Sequence, residues 1–354
     1  MAARMARILH VGNFSLRAKG AFQHSVEHKI SNGLIRNGHQ VVNFSDRDAA
    51  RAGSLFGRNK LGGRGAANRT LRAFCRHMEP QAIFFGQADV ITAQTIEAIR
   101  SDLPGVRILQ WNVDPVFEPD NIGRLRSKIE VVDATLVSTA GEALAPLKRT
   151  GMRLGFLPNP VDFSIERGRN HEIEALPYDL FYACGHPSRP LREVCGADWD
   201  MDLFMAGLFE RAPGVRALVP GIAGAPHLAG GAYQAGLESA ALGLNISRRD
   251  DNWLYSSDRL AHMCGNGQAI LIARATGYDA LFSDDEMVFF DSLDGLAASV
   301  ASLIADPQRR MRIASAGRAR YHALFNEQIV AGYMLDVAFD RMDPSAFTWP
   351  TLLT

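Results

Sequence analysis

The sequence lacks several features that would declare a function outright. Its four cysteines, Cys75, Cys184, Cys195 and Cys264, stand singly with no CxxC pair. That argues against a zinc ribbon or a disulfide framework and suits a reducing compartment. Neither charge is in excess: Lys plus Arg and Asp plus Glu number 38 each, so nothing global points to a nucleic-acid groove or a polybasic membrane surface. No stretch approaches the roughly 18 apolar residues of a membrane span, and "MAARMARILHVGNF" carries too short an apolar run for a signal-peptide core. The first strand-like run ends "HVGNF" without the GxGxxG spacing that brings a backbone close to a dinucleotide, which weakens a nicotinamide or flavin enzyme. These absences lead us to expect a soluble cytoplasmic protein with small or locally recognised partners, no nucleic acid, and at most peripheral membrane contact.

What the chain does have is apolar material, 47% against 21% charged over 354 residues, enough for two cores. "ARILHVGNF" reads as a strand, and "AFQHSVEHKISNGLIRNGHQVVNF" as a helix, a Gly-His turn and a second strand. Phe22, Val26, Ile30 and Leu34 share one helical face, and Gly38 stops the helix. Strands follow at 82–86, 107–114, 134–139 and 154–159, which makes a doubly wound α/β layer, with 49–69 as a mobile Gly- and Arg-rich loop. After the linker-like "SIERGRNHEIEALP", a second series reads at 178–185, 202–207, 241–247, 268–273 and 287–290. The expectation is an α/β protein of two Rossmann-like domains facing across a cleft: residues 1–165, residues 166–327, and a helix and tail at 328–354 packing back on the first. Ligands bind beyond the carboxyl ends of such strands, so that cleft is the default site.

Several residue groups carry possible chemistry. Gly12 and Asn13 end the first strand, and Lys19 and Gly20 precede a helix N-terminus, where backbone N–H groups favour an anion; a plain βα loop is the alternative. His24 and His28 lie four apart, but the glutamate of "HSVEH" is misplaced for HExxH, so no metal is expected. His24 has the chemistry of a general base, and Asp114 is a second candidate at a strand end; surface or packing roles compete for His24. Asp198, Asp200 and Asp202 alternate like a metal-binding Asp-x-Asp, yet an entry into a buried strand accounts for them too. Asn245 and Ser247 close a strand, Arg248 and Arg249 follow, and Arg259 opens a helix. Such guanidinium forks match diphosphate oxygens, with salt bridges to Asp250, Asp251 or Asp258 as the alternative.

Five segments together resemble the two-domain sugar-nucleotide glycosyltransferases of GT-B architecture, within them the spore-maturation CgeB-like branch: "ILHVGNF…KGAFQHSVEHKISNGLIRNGHQVV", "QWNVDPVF", "LPNPVDFS", "LGLNISRRDDNWLYSSDRLAHMCGNGQAIL" and "DDEMVFFDSLDGLAASVASLIADPQRRMRIASAGRARY". The resemblance spans Ile8 to Tyr321. It implies transfer of a sugar from a nucleotide-sugar held by the second domain to a glycan, lipid-linked or protein acceptor held by the first, with no cofactor and no bound metal. By position, Arg259 and Arg248 would meet the diphosphate, Asn245 would line the donor site, Gly265 and Gly267 would let the backbone approach the donor, and Glu286 would lie near the ribose or base. His262 stands where relatives carry a glutamate or asparagine for a donor hydroxyl, and imidazole cannot accept two hydrogen bonds as a carboxylate does. A catalytically silent sugar-nucleotide-binding or scaffolding protein, and a sugar-nucleotide epimerase, are the competing readings.

Overall fold

The computed structural model describes residues 5–54, 62–184 and 191–353. The chain divides into two compact units, residues 1–160 with 327–354, and residues 161–326. The crossing at 160/161 precedes the boundary expected at 165, and the C-terminal helix and tail belong to the first unit.

The first unit opens with β1 (Arg7–Gly12), α1 (Val26–Arg36), β2 (Gln40–Ser45), α2 (Asp46–Ala52), α3 (Arg64–Met78) and β3 (Ala82–Gly86). It continues with α4 (Ala93–Asp102), β4 (Arg107–Asn112), α5 (Pro119–Ile129), β5 (Ala134–Val137) and β6 (Arg153–Phe156). The six strands form one parallel sheet in the order β2-β1-β3-β4-β5-β6. "AIFFG" of β3 is buried at every position, as a strand covered on both faces must be. Gly86 ends it because a Cβ there would lie 2.2 Å from Trp111 Cζ2. Beneath the sheet a neutral chain of donors runs through the core. Trp111 Nε1 donates to His10 Nε2 (3.3 Å), His10 Nδ1 meets Ser31 Oγ (2.8 Å), and Ser31 Oγ donates to Asn43 Oδ1 (2.8 Å). Burial, with His28 nearby, pushes the His10 imidazole down to about 3, which keeps it neutral.

Two expectations change in this unit. The helix starts at Val26, so His24 precedes it while His28 lies on it, and Phe22 is exposed rather than part of the apolar face. Residues 49–69, expected as a loop, belong in large part to α2 and α3; 55–61 lie outside the described residues.

The second unit contains β7 (Tyr178–Phe181), β8 (Leu191–Val194), β9 (Ala197–Asp200), α6 (Met201–Arg211), β10 (Ala217–Leu218) and α7 (Gly230–Glu238). Then come β11 (Ala240–Asn245), α8 (Arg259–Gly265), β12 (Ala269–Ala273), β13 (Val288–Phe290), α9 (Leu293–Ala305) and α10 (Pro307–Phe325). Its parallel sheet runs β10-β7-β11-β12-β13, and β8 and β9 form an antiparallel hairpin. "DLFMAG", expected as a strand, is helix α6. Met201, Phe204, Met205 and Leu208 are its buried stripe at helical spacing, and Asp200 Oδ1 caps it by accepting from Asp202 N at 2.9 Å. The linker-like stretch from Ser164 is packed into this unit. Glu166 is fully buried, Asn170 Nδ2 donates to the carbonyls of Leu237 and Ala240, and Arg310 donates to the carbonyl of Glu174.

The final helix, α11 (Glu327–Ala338), packs on α1 of the first unit. Gly33 makes the close approach possible, since a Cβ there would sit 1.9 Å from the Glu327 carbonyl oxygen. The last residues pair with the outer edge of β6, where Phe156 N donates to Thr351 O and Leu353 N to Leu154 O, each at 2.8 Å. An otherwise open sheet edge is thereby covered.

Candidate functional site

In the second sheet the chain leaves β7 for β10 on one side and then crosses to β11 on the other. Connections diverge at the β7/β11 boundary, and the carboxyl ends at such a switch point are where open α/β sheets hold ligands. Tyr182 and Cys184 follow β7, Asn245 ends β11, and Ser257 and Arg259 return at the start of α8.

Tyr182, Cys184 and Asn245 are buried and Ser257 and Arg259 partly so, and several of their polar atoms are buried without partners. Asn245 is 2% exposed, and neither its amide nitrogen nor its carbonyl oxygen has a hydrogen-bond partner among the described residues. Ser257 Oγ and Arg259 Nε are likewise buried without partners. Buried polar groups are nearly always paired, so a cluster of orphans at a switch point has the character of a ligand site. Arg259 is held by two contacts. Its Nη2 donates to the Ile246 carbonyl at 2.9 Å, and its guanidinium carbon lies 6.0 Å from the centre of the Tyr182 ring. Burial pushes the Tyr182 phenol up to about 12, so it stays neutral beneath that cation. The hairpin adds Arg192, 5% exposed, whose Nη2 lies 3.6 Å from Cys184 Sγ. Cys184 also lines a pocket of about 370 Å³ with Met201, Asp202 and the turn from Gly221 to His227.

Other candidates fall elsewhere. Arg249 is spent on Asp251 and Glu193, and Arg248 accepts Glu193 N with its carbonyl. Gly265 and Gly267 do not open onto a ligand. A Cβ on Gly265 would meet Glu166 Cβ at 2.8 Å, and one on Gly267, at φ +83°, would meet His171 Nδ1 at 2.4 Å. Both glycines precede β12 at the amino-terminal edge of the sheet, and what approaches them is the chain's own 161–171 segment. Glu286 precedes β13 at that same edge, and its carboxylate accepts Ser283 N at 2.9 Å. His262 is 1% exposed in the middle of α8, with Nδ1 2.8 Å from Glu166 Oε1; Glu166 Oε2 accepts Asp162 N at 2.7 Å. The imidazole thus fastens that segment to α8. The three aspartates do not converge either: Asp198 is on β9, Asp200 caps α6, and Asp202 Oδ1 accepts Ala223 N at 2.8 Å. Among the described residues no group of three His, Cys, Asp or Glu side chains is placed to hold a metal ion.

The first sheet has its own switch point between β1 and β3. Gly12 and Asn13 stand there, and a Cβ on Gly12 would crowd Glu27 Cγ at 3.1 Å. Lys19 and Gly20 lie on the following loop in left-handed conformation, and His24 comes just before α1. Asp114, past β4, accepts on Oδ2 from Gln87 Nε2 at 2.9 Å and Arg124 Nη2 at 3.0 Å. Arg192, Ser257, Tyr182 and Glu166 were not singled out from sequence. The arginine of "PLREV" after the first strand of the second series is the signal that was available.

This architecture is shared with known proteins. Sucrose-phosphate synthase from Thermosynechococcus elongatus superposes with a TM-score of 0.57 at 12% identity, over 95% of this chain and 99% of that one. Anabaena HepE in complex with UDP and glucose gives 0.56 at 12% identity, over 95% and 100%. A putative UDP-N-acetylglucosamine 2-epimerase from Listeria monocytogenes gives 0.50 at 11% identity, over 96% and 98%. At these identities the likeness is one of fold, and the fold is the α/β fold of GT-B glycosyltransferases. Residues 190–336 further match the family model described as Glycosyl transferase-like, a span that contains Arg192, Asn245, Ser257 and Arg259. No curated protein matches the chain by sequence. The family match supports glycosyl transfer, and the structural neighbours bear on the fold alone. No helix among the described residues is long and apolar enough to cross a membrane.

Proposed function

We propose that the protein is a cytoplasmic glycosyltransferase of the CgeB-like branch that takes a hexosyl or related sugar from a nucleoside-diphosphate donor. The observation that carries this reading is the set of orphaned buried groups on Asn245, Ser257 and Arg259 at the β7/β11 switch point. A diphosphate and its sugar hydroxyls would satisfy them, with Arg259 forking onto phosphate oxygens. Arg192 lies beside the same strand end, and the pocket at Cys184 is large enough for a nucleoside. Bond breaking puts charge on the leaving diphosphate. A guanidinium already fixed by the Ile246 carbonyl and the Tyr182 ring stabilises that charge without reorganising, the role we assign to protein cations in place of a metal. If transfer inverts configuration, we assign acceptor deprotonation to His24, because Asp114 Oδ2 already accepts two hydrogen bonds. The acceptor is a glycan, lipid-linked or protein hydroxyl presented to the first unit.

Calorimetric titration with UDP, GDP, ADP and their sugar conjugates tests the reading. Binding of at least one is expected, with Arg259→Ala and Arg259→Lys each losing about tenfold to a hundredfold, since the fork and not the charge alone is used. No binding of any nucleotide would overturn it. Binding without transfer to any acceptor would identify a silent binder, and conversion of the donor without acceptor an epimerase.

A further inference from the structure

We propose that the loop between β1 and α1 docks the protein on an anionic membrane surface. After Asn13 the chain makes a 3-10 turn at Leu16–Ala18 and further turns to Ser25, with Ser15, Lys19 and Gly20 at φ 48°, 54° and 87°. Leu16 N donates to Asp48 Oδ2 at 2.8 Å, and Ser45 Oγ donates to the same oxygen, so the loop is anchored to α2. From this fixed base two large apolar side chains project: Leu16 is 68% exposed and Phe22 52%. Arg17 and Lys19, both exposed, lie between them in sequence.

The charges around the loop do not cancel. Asp48, the acid on α2, is occupied by the loop itself and lies 3.8 Å from Arg51. Glu27 on α1 is partly buried, with its Cγ beneath Gly12. Two cations and two apolar tips on one braced loop match the two layers of a bilayer surface, phosphates outside and acyl chains just within. A protein partner is a poorer fit, because a stable interface covers roughly 800 Å² on each side, whereas insertion into lipid needs only the tips. His24, assigned above to acceptor deprotonation, lies on the same loop, and the two readings are separated because vesicle binding is read without any transfer activity.

Sedimentation with vesicles tests it, using the full-length protein against pure phosphatidylcholine and against equimolar phosphatidylcholine and phosphatidylglycerol. The protein is expected to pellet with the mixed vesicles alone, and less as salt rises. Arg17→Gln with Lys19→Gln should lower partitioning about thirtyfold, which is roughly 1 kcal/mol per cation, and Leu16→Ser with Phe22→Ser should abolish it. Thermal midpoints should be unchanged, because all four side chains are exposed. The proposal is overturned if the wild type stays in the supernatant with both vesicle types, if it binds both equally, or if both double variants pellet like the wild type.

Discussion

Replacing His262 by glutamate restores the kind of residue that the family resemblance implies at that position, and the structure says the change should be harmful. His262 and Glu166 are both buried, with Nδ1 2.8 Å from Oε1. His262→Glu would set a second carboxyl group against the first, and two carboxylates that close retain one proton between them. Holding a carboxyl group protonated at pH 7, when it would ionise near 4.3 in the unfolded chain, costs about 1.4 kcal/mol per pH unit, or about 4 kcal/mol. The folded value lies above the unfolded one, so the penalty is absent below about pH 4.3 and grows as pH rises toward the folded value. Adding Glu166→Gln removes the like charge and lets the amide donate to the introduced carboxylate. Urea unfolding of the single and double variants from about pH 4.5 to 7.5 should therefore give curves that start together and diverge by several kcal/mol. Parallel curves, or a single variant as stable as wild type at neutrality, would show that position 262 does not face Glu166.

Asn245→Leu should stabilise the resting protein by about 1 to 3 kcal/mol, because it removes a buried amide with two unmet hydrogen-bonding atoms, while abolishing nucleotide binding; lower stability with binding intact would refute the site. Gly33→Ala and Gly123→Ala, both inside helices, should have opposite signs. Gly123 has nothing within 4 Å and should gain about 1 kcal/mol of helix propensity. Gly33→Ala should lose more than that, because a Cβ there collides with the Glu327 backbone, and thermal melts of the two variants check it. The buried His10 holds its imidazole near 3, below the ordinary 6.5, so the unfolded chain binds the extra proton and stability falls by about 1.4 kcal/mol per unit as pH drops from 6.5 toward 3. His10→Gln should flatten that part of the denaturation-versus-pH curve, and an unchanged slope would mean that the ring titrates normally.

The sequence displayed its strands for a physical reason. Parallel strands buried on both faces read as unbroken apolar runs, as in "AIFFG" and "AILIA". The same rule misread "DLFMAG", where the capping Asp200 and the spacing of Met201, Phe204, Met205 and Leu208 were the discriminating signs. Glu166 could not be read, because its burial depends on α8, 96 residues further along the chain, and its neighbours are polar enough to suggest a linker. The glycines were half legible: each announces a close approach without saying what approaches. Yet their location did follow from sequence. In a parallel sheet the connecting helix runs back against the strands, so its first turn lies at the ligand edge and its last at the opposite one. Six residues at 1.5 Å place Gly265 about 9 Å along the helix axis from Arg259, and the strand that begins at Ala269 fixes the direction. Only the arginine can belong to the carboxyl edge, and the glycines must serve the other.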